Sequence, residues 1–257
     1  MTLLETKLLR FESLPSTNTE LAQLAAAGAA EGLAIVADEQ TAGRGRLQRS
    51  WSSPRGAGLY FSILLRPTIP QNYWPLITLL AALAVAEALE EASGLETDIK
   101  WPNDLLSGER KICGILGEAI ETPAGRAVIV GIGINLTQSA FPEELAKVAT
   151  SVSEATGKPP DREAILAALL RALSHWYSRL HEPAGRSEIV GAWSSRSSYA
   201  EGRQIQVSNG DEVWPGTTCG LEPDGALRVR SASGEVRSIR AGDVSSVRPS
   251  LPGDGAT

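Results

Sequence analysis

The chain has 257 residues, of which 42% are hydrophobic and 21% are charged, a composition typical of a soluble globular protein with one or two domains. Its formal net charge of −6 excludes a chain-wide basic surface for nucleic acid. Two cysteines far apart in sequence, Cys113 and Cys219, indicate neither a disulfide framework nor a zinc site. The two histidines, His175 and His181, are predicted to be structural, so the chemistry rests on Lys, Arg, Asp, Asn and backbone amides.

The first residues mix acidic and apolar side chains, whereas a secretory signal needs an uninterrupted apolar stretch behind a basic start. The longest uncharged apolar stretch, residues 74–86, is too short to span a bilayer and predicts a buried helix. We therefore expect a cytoplasmic protein without a membrane partner.

Helix and strand patterns alternate in mixed order along residues 1–199. Thr17-Asn18-Thr19-Glu20 matches a capping box and opens a helix that ends near Gly28. The later elements are a strand at 33–37, a long loop at 43–58, a strand at 59–65, a helix at 74–92, strands at 98–101, 111–119 and 127–136, and an amphipathic helix at 161–180. Turns are predicted at 102–104 and 107–110. This order, with its hairpins, predicts an α+β fold with a mixed sheet.

The pattern changes after Tyr199. Short strands are predicted at 203–208, 212–221, 226–231, 235–239 and 244–248, separated by Asn-Gly, Asp-Gly and Ser-Gly, the dipeptides that tight hairpins prefer. We expect a catalytic domain at residues 1–199, a small all-β, barrel-like module at 200–250, and a disordered tail at 251–257.

The most informative segment runs from Gly43 to Trp51 and is called the Gly-Arg loop below. Closely spaced glycines allow backbone N–H groups to converge on an anion, and Arg44, Arg46 and Arg49 add permanently charged donors. Trp51 could cover an apolar or ring-shaped part of a ligand. The alternative is a solvated surface loop, since glycine–arginine runs also occur in RNA-binding tails. The flanking strands and the terminal Trp favour an ordered phosphate or carboxylate site.

Lys100-Trp101-Pro102-Asn103-Asp104, followed by Lys111, forms a second candidate site. Pro102 fixes the entry to the turn, and Asn103 and Asp104 can satisfy turn amides or face a ligand. A lysine directed into a site can neutralise a carboxylate and a phosphate together. An Asx turn with a surface lysine is an equal alternative for this stretch alone.

Two further segments carry weaker signals. Gly131 and Gly133 interrupt an apolar strand, which indicates that either a ligand or a packed helix approaches the backbone closely. Asn135, at the strand end, could bind a phosphate, a metal-bound water or its own loop. Residues 16–18 are explained by helix capping, although a helix N-terminus can also hold a ureido or carboxylate group.

These segments, in this order, resemble the biotin–protein ligase family over essentially the whole chain. The specific combination is the Gly-Arg loop with its Trp, the Lys-Trp-Pro-Asn-Asp segment, and the later Lys111. The resemblance implies an ATP-dependent ligase that forms biotinyl-5′-AMP from biotin and ATP and transfers biotin to a lysine of a biotin carboxyl carrier protein. It also implies a mixed α+β catalytic domain followed by an SH3-like barrel. Since Ser16 comes too early to leave room for the helix-turn-helix domain of repressor-type members, we expect a monofunctional protein without specific DNA binding.

The resemblance also assigns roles to the predicted site residues. Those expected to bind biotin are Ser16, Thr17, Asn18, Gln40, Arg44, Gly45, Arg46 and Lys111. Those expected to bind the nucleotide are Arg46, Arg49, Trp51, Asn103, Lys111 and Asn135. Catalysis is expected to rest on Lys111, Arg44, Arg46 and Asp104, and Mg²⁺ is expected to be carried mainly by ATP.

Asp104 is our hypothesis for the base in the transfer step. The acceptor lysine of the carrier needs a base because an unperturbed lysine with a pKa of about 10.4 is almost wholly protonated at pH 7.

One position departs from the family's usual loop, Gly-Arg-Gly-Arg-x-Gly-Arg-x-Trp, since Gln48 stands at the third glycine. A positive φ there would cost Gln roughly 1–2 kcal/mol relative to glycine. We expect altered loop ordering and altered retention of the intermediate, without loss of the chemistry.

Three other functions stay open at this stage. A lipoate or octanoate ligase would use the same adenylate chemistry, although the loop ending in Trp51 favours biotin. A nucleic-acid-binding regulator is opposed by the acidic net charge. Gln48 is the only feature of the sequence that favours a non-catalytic biotin sensor. The sequence specifies neither the oligomeric state, a homodimer included, nor the identity of the carrier.

Overall fold

The structure is a computed structural model that describes residues 4–209, 212–240 and 242–246. The strands of a first sheet are β1 (Lys7–Phe11), β2 (Leu33–Ala37), β3 (Gly58–Leu65), β4 (Asp98–Lys100), β5 (Asp104–Ser107), β6 (Arg110–Thr122) and β7 (Gly125–Asn135). The helices are α1 (Thr17–Ala26), α2 (Pro75–Ser93), α3 (Val152–Thr156), α4 (Arg162–Leu180) and α5 (Gly185–Ser195). A second sheet contains β8 (Glu201–Asn209), β9 (Glu212–Leu221), β10 (Leu227–Arg230), β11 (Val236–Ile239) and β12 (Asp243–Ser246).

The first sheet has the order β1-β2-β3-β7-β6-β5-β4. Helix α1 connects β1 to β2, so this pair runs parallel, as a crossover connection requires. The other neighbouring strands run antiparallel and are joined in part by hairpins. The mixed sheet and the α+β class predicted from sequence are confirmed.

Helices cover both faces of this sheet. The first half of α2 carries no charge, and the helix is buried between the sheet and helices α4 and α5. On the opposite face, Leu21 and Ala25 of α1 pack against Ile35 and Leu64. Strand β3 therefore has apolar neighbours on both sides, and all its residues are buried.

Helix α1 begins one residue earlier than the predicted capping box. Ser16 is the N-cap, with extended backbone angles (φ −161°, ψ 134°), and its hydroxyl accepts a hydrogen bond from the Thr19 amide at 3.5 Å. The prediction of a box that starts at Thr17 is wrong in this respect. Because Ser16 caps the helix, the Thr17 side chain is available for contacts elsewhere.

Several short elements were not predicted from sequence. Strand β1 has only five residues and no strict alternation of charged and apolar side chains, and β5 begins at the last residue of the predicted turn at 102–104. Helices α3 and α5 also went unpredicted, α3 being only five residues long. The long elements lie within a few residues of their predicted positions, and β2 and β9 match their predicted ranges.

The second sheet is wholly antiparallel, with the order β11-β10-β9-β8-β12. Its edge strands β11 and β12 are not paired with each other in the described residues, so the sheet is open. A hydrogen bond from Trp101 Nε1 to the Gly225 carbonyl oxygen (3.1 Å) connects the two sheets. The predicted tail at 251–257 and the end of the last predicted strand lie outside the described residues. None of the described helices is long and apolar enough to cross a membrane.

Candidate functional site

A cavity of about 550 Å³ opens between the first sheet, the start of α1, the Gly-Arg loop and strand β12. Every site residue predicted from sequence lies on its wall: Ser16, Thr17, Asn18, Gln40, Arg44, Gly45, Arg46, Arg49, Trp51, Asn103, Asp104, Lys111 and Asn135. Four segments far apart in sequence therefore meet at one place. Neutral polar side chains and Arg44 line the α1 end, and Arg46, Arg49 and Lys111 line the end beside β5 and β12.

At the neutral end, Gln40 is held by two segments. Its Oε1 accepts hydrogen bonds from the Thr17 amide (2.9 Å) and the Thr17 hydroxyl (3.1 Å). Its Nε2 donates to Ser53 Oγ at 2.8 Å. Gln40 therefore presents a fixed orientation to the cavity, which favours recognition of a neutral polar group.

Ser62 is a functional candidate that sequence reasoning missed. Its hydroxyl is fully buried in β3 and lies 2.7 Å from Thr17 Oγ1 and 2.6 Å from Asn18 Oδ1. Asn18 Nδ2 donates in turn to Glu118 at 2.7 Å. The available signal was a single serine inside the apolar strand GLYFSILL, since a buried hydroxyl requires a partner.

Gly131 and Gly133 are explained by close approaches from the cavity wall. A Cβ at Gly131 would collide with the Asn18 side chain of α1, so the packed-helix alternative holds there. A Cβ at Gly133 would lie 2.5 Å from Trp51 Nε1. The Trp51 indole thus rests directly on the backbone of β7, and its Nε1 is buried with no hydrogen-bond partner in the described part of the chain.

The Gly-Arg loop contains a 3₁₀ turn at Arg46–Gln48 in which two residues adopt left-handed backbone angles. Leu47 has φ 53° and Gln48 has φ 60°. The positive φ at Gln48 is the conformation for which the family's glycine is suited, and a side chain there costs roughly 1–2 kcal/mol. Gly43 is required as well, because its Cβ would collide with the Trp51 carbonyl oxygen.

Carboxylates pair with cations along the cavity. Lys111 Nζ lies 2.7 Å from Asp104 Oδ1 and 5.2 Å from the centre of the Trp51 ring. Arg44 pairs with Glu118 at 2.8 Å, and because the same carboxylate accepts from Asn18, this pair lies at the α1 end. The sequence carried no motif that would have singled out Glu118.

Among the described residues, Arg46 has three hydrogen-bond partners in two segments. It donates to Asn103 Oδ1 (3.0 Å), to Asp243 Oδ1 (3.3 Å) and to the Gly242 carbonyl oxygen (3.0 Å). Arg49 donates to Asp243 Oδ2 at 2.6 Å. Asp243, almost 200 residues from the loop in sequence, was missed as well.

The two asparagines have structural partners. Asn103 Nδ2 donates to the Ile115 carbonyl oxygen at 2.8 Å, which fixes the turn before β5. Asn135 is buried, and its Nδ2 donates to the Thr150 carbonyl oxygen at 3.0 Å. Asn135 therefore donates a hydrogen bond to its neighbouring loop, which is one of the three roles left open by the sequence. It also lines the cavity.

Two other reactive side chains, Cys113 and His181, are not candidates for the reaction centre. Burial raises the pKa of the Cys113 thiol far above its ordinary value, so the thiol stays protonated and is a poor nucleophile. His181 lies away from the cavity wall, where its Nε2 accepts from the Thr68 amide at 3.4 Å. Within the described residues, His, Cys, Asp and Glu form no group of three or more that could hold a metal ion.

The fold and this cavity define a protein of the biotin/lipoate A/B protein ligase family, whose model matches residues 10–135. The chain is 39% identical over 240 residues to the bifunctional ligase/repressor BirA of Bacillus subtilis, covering 92% of this chain and 73% of that protein. It is 36% identical to the biotin–[acetyl-CoA-carboxylase] ligase of Paracoccus denitrificans, covering 85% and 92% respectively.

A solved structure of the biotin protein ligase from Aquifex aeolicus in complex with biotin and ATP is also similar. It shares 34% sequence identity with a TM-score of 0.82, over 95% of this chain and 99% of that chain. The chain belongs to the biotin protein ligase family, and it is an enzyme of the ligase class.

Proposed function

We propose that the chain uses ATP to form biotinyl-5′-AMP and then transfers biotin to a lysine of a biotin carboxyl carrier protein. The observation that carries the proposal is one cavity with a neutral polar end at Thr17 and Gln40 and a cationic end at Lys111, Arg46 and Arg49. Biotin has a neutral ureido ring at one end and a carboxylate at the other. The cavity therefore offers matched partners to both ends of the acid and to the phosphates of a nucleotide.

In the first step the biotin carboxylate is already ionised, so its attack on the α-phosphate of ATP needs no general base. The obstacle is repulsion between two anions, which Lys111 and Arg46 reduce. Mg²⁺ bound with ATP would add positive charge to the same phosphates. The cavity carboxylates Asp104 and Asp243 are both paired with cations, which fits a metal that arrives with the nucleotide.

In this proposal the Gly-Arg loop excludes water from the intermediate. Trp51, its last residue, packs on the backbone at Gly133, and the rest of the loop forms one side of the cavity. A mixed anhydride is easily hydrolysed, so closure over it protects the adenylate until the carrier arrives.

In the second step the amine of the carrier lysine attacks the anhydride as the neutral species. Asp104 is the proposed base, because its carboxylate lines the cavity beside Lys111. Lys111 remains available to stabilise the leaving AMP as the carboxylate takes the proton. Residues 1–199 would supply this chemistry, and residues 200–250 would form a separate module that completes the cavity wall through β12.

The test is biotin transfer to a purified carrier domain, followed by intact-mass measurement. We expect one biotin per carrier with Mg²⁺, ATP and biotin present, and none on a carrier whose acceptor lysine is replaced by arginine. Transfer of lipoate or octanoate in place of biotin would contradict the biotin assignment while keeping the adenylate mechanism. No transfer of any acid by folded protein would contradict the mechanism as well.

A further inference from the structure

Four of the five described cations that line the cavity pair with carboxylates of the chain. Arg44 pairs with Glu118 at 2.8 Å, and Lys111 pairs with Asp104 at 2.7 Å. At these two sites an incoming anion therefore exchanges with a carboxylate of the chain itself. Two further cations, Arg46 and Arg49, share a single carboxylate, and Lys100 Nζ lies 5.8 Å from the centre of the Tyr199 ring.

That shared carboxylate is Asp243, the first residue of β12 in the second sheet. Its Oδ1 lies 3.3 Å from Arg46 Nη1, and its Oδ2 lies 2.6 Å from Arg49 Nη2. Arg46 also donates to the neighbouring Gly242 carbonyl oxygen at 3.0 Å. We call this set of bonds the Asp243 contact. It attaches the Gly-Arg loop to the second sheet.

Arginine binds carboxylates and phosphates with the same fork of parallel N–H donors. Asp243 bonds one nitrogen of each guanidinium, so a phosphate that uses the full fork of either arginine displaces it. The fixed negative charge of Asp243 also opposes a polyanion at this end of the cavity. Both effects act against nucleotide binding as long as the Asp243 contact is made.

We propose that Asp243 is a positioning residue that competes with the nucleotide phosphates for Arg46 and Arg49. Before the nucleotide binds, Asp243 holds the Gly-Arg loop against the second sheet. When the phosphates bind, the arginines exchange partners and the loop is released from β12. This inference rests on the proposed function for the identity of the nucleotide as ATP, whereas the contact itself does not depend on biotin chemistry.

The test is Asp243→Asn, which keeps the shape of the side chain and removes its charge. We expect the dissociation constant for MgATP, measured by calorimetric titration of ligand-free protein, to fall about threefold to tenfold. We also expect subtilisin to cleave the Gly-Arg loop of the ligand-free variant about threefold to tenfold faster, with the cut located by mass spectrometry. The KM for biotin should change less than about twofold, since the biotin end of the cavity is untouched.

Two variants make the comparison specific. Glu235→Gln removes one carboxylate from an exposed ion pair with Arg237 in the same sheet, and should change neither measurement. Asp243→Glu retains the charge and should resemble the original chain in loop cleavage. Unchanged or weaker MgATP binding by Asp243→Asn would overturn the competition, and unchanged loop cleavage would overturn the attachment to β12.

The result of the Asp243→Asn experiment can be interpreted even if the proposed function is wrong. Loop cleavage requires no ligand, and inorganic pyrophosphate can replace MgATP as the titrant. If the original chain released no pyrophosphate with biotin and ATP, the proposed function would fail. The Asp243→Asn comparison with pyrophosphate would still show whether Asp243 and phosphate groups compete.

Discussion

Lys111 and Asp104 face each other 2.7 Å apart at the cationic end of the cavity, and their expected roles fall in different steps. Lys111 supplies positive charge where the carboxylate meets the α-phosphate. Asp104 supplies a proton acceptor where the carrier amine attacks. The two roles can be separated because adenylate formation is measurable without a carrier, and transfer is measurable from preformed adenylate.

Lys111→Ala should reduce kcat/KM for adenylate formation by about 10²–10³-fold, because a preorganised charge at the transferring phosphoryl group is lost. The free energy of unfolding should change by less than about 1 kcal/mol, since the pair with Asp104 is partly exposed. Pyrophosphate release and urea denaturation measure the two quantities. Normal adenylation together with a destabilised fold would instead indicate a structural lysine.

Asp104→Asn should slow transfer from preformed biotinyl-5′-AMP by about 10²-fold, because the carrier amine then lacks its proton acceptor. Single-turnover transfer to the carrier is the measurement. The same variant should retain most of its adenylate formation, since that step needs no general base. An unchanged transfer rate would remove Asp104 from the mechanism.

Site residues that belong to a local sequence pattern could be predicted. Residues that hydrogen-bond to them from distant parts of the sequence could not. The Gly-Arg loop, the segment at 100–104 and Lys111 could be identified because several chemically matched residues lie close in sequence. Ser62 is one serine in an apolar strand and Asp243 begins a short, mostly polar one, and their partners lie at least 44 positions away. Only the three-dimensional fold brings such pairs together.

At the scale of elements, strand β7 and the Gly-Arg loop depend on each other. Gly133 has no side chain where the Trp51 indole packs, and Gly114 on the neighbouring strand β6 also lies close to this ring. The strand therefore provides a flat surface that fixes the end of the loop. This role explains why glycines interrupt an otherwise apolar strand.

Gly133→Ala should lower kcat/KM for adenylation roughly 10- to 100-fold, because the new Cβ displaces Trp51 and the loop that it anchors. The matched control is Gly191→Ala in helix α5, where an added Cβ meets nothing within 4 Å. That control should keep its activity and gain about 0.5–1 kcal/mol in unfolding free energy. Equal activities for the two variants would contradict the packing role of Gly133.

Gln48→Gly should stabilise the Gly-Arg loop in its present conformation, because Gln48 has φ 60° and glycine adopts this angle without strain. A relief of about 1 kcal/mol corresponds to roughly fivefold slower release of biotinyl-5′-AMP. Trapping of radiolabelled adenylate by gel filtration measures the release. Gln48→Ala keeps the Cβ and should behave like the original chain, whereas equal slowing by both variants would contradict backbone strain as the cause.

Long elements with a single period were predicted well. Helix α2 follows from an uncharged apolar stretch, and α4 follows from helical spacing together with its Asp161 N-cap. Short β1 and α3 depend on tertiary packing, and at five residues each they give little local signal. The start of α1 was misplaced by one residue, because Ser16 and Thr17 are both good caps and only the contact with Gln40 decides between them.

At the scale of the whole molecule, the two sheets share one continuous hydrophobic core. Ile205, Val207, Leu227 and Val229 of the second sheet belong to the same buried cluster as helix α2. The Trp101–Gly225 hydrogen bond and the Asp243 contact lie on the path between the sheets. The second sheet is therefore placed to affect the cavity directly, a relationship that the change in sequence pattern after Tyr199 did not predict.

The most direct test of the central claim is pyrophosphate release by the purified chain with Mg²⁺ and ATP, with no carrier present. Biotin, lipoate and octanoate are added separately. We expect a burst near one equivalent with biotin alone, followed by slow release, because the loop retains the adenylate. Release with lipoate or octanoate but not biotin, or no release with any acid by folded protein, would contradict the assignment.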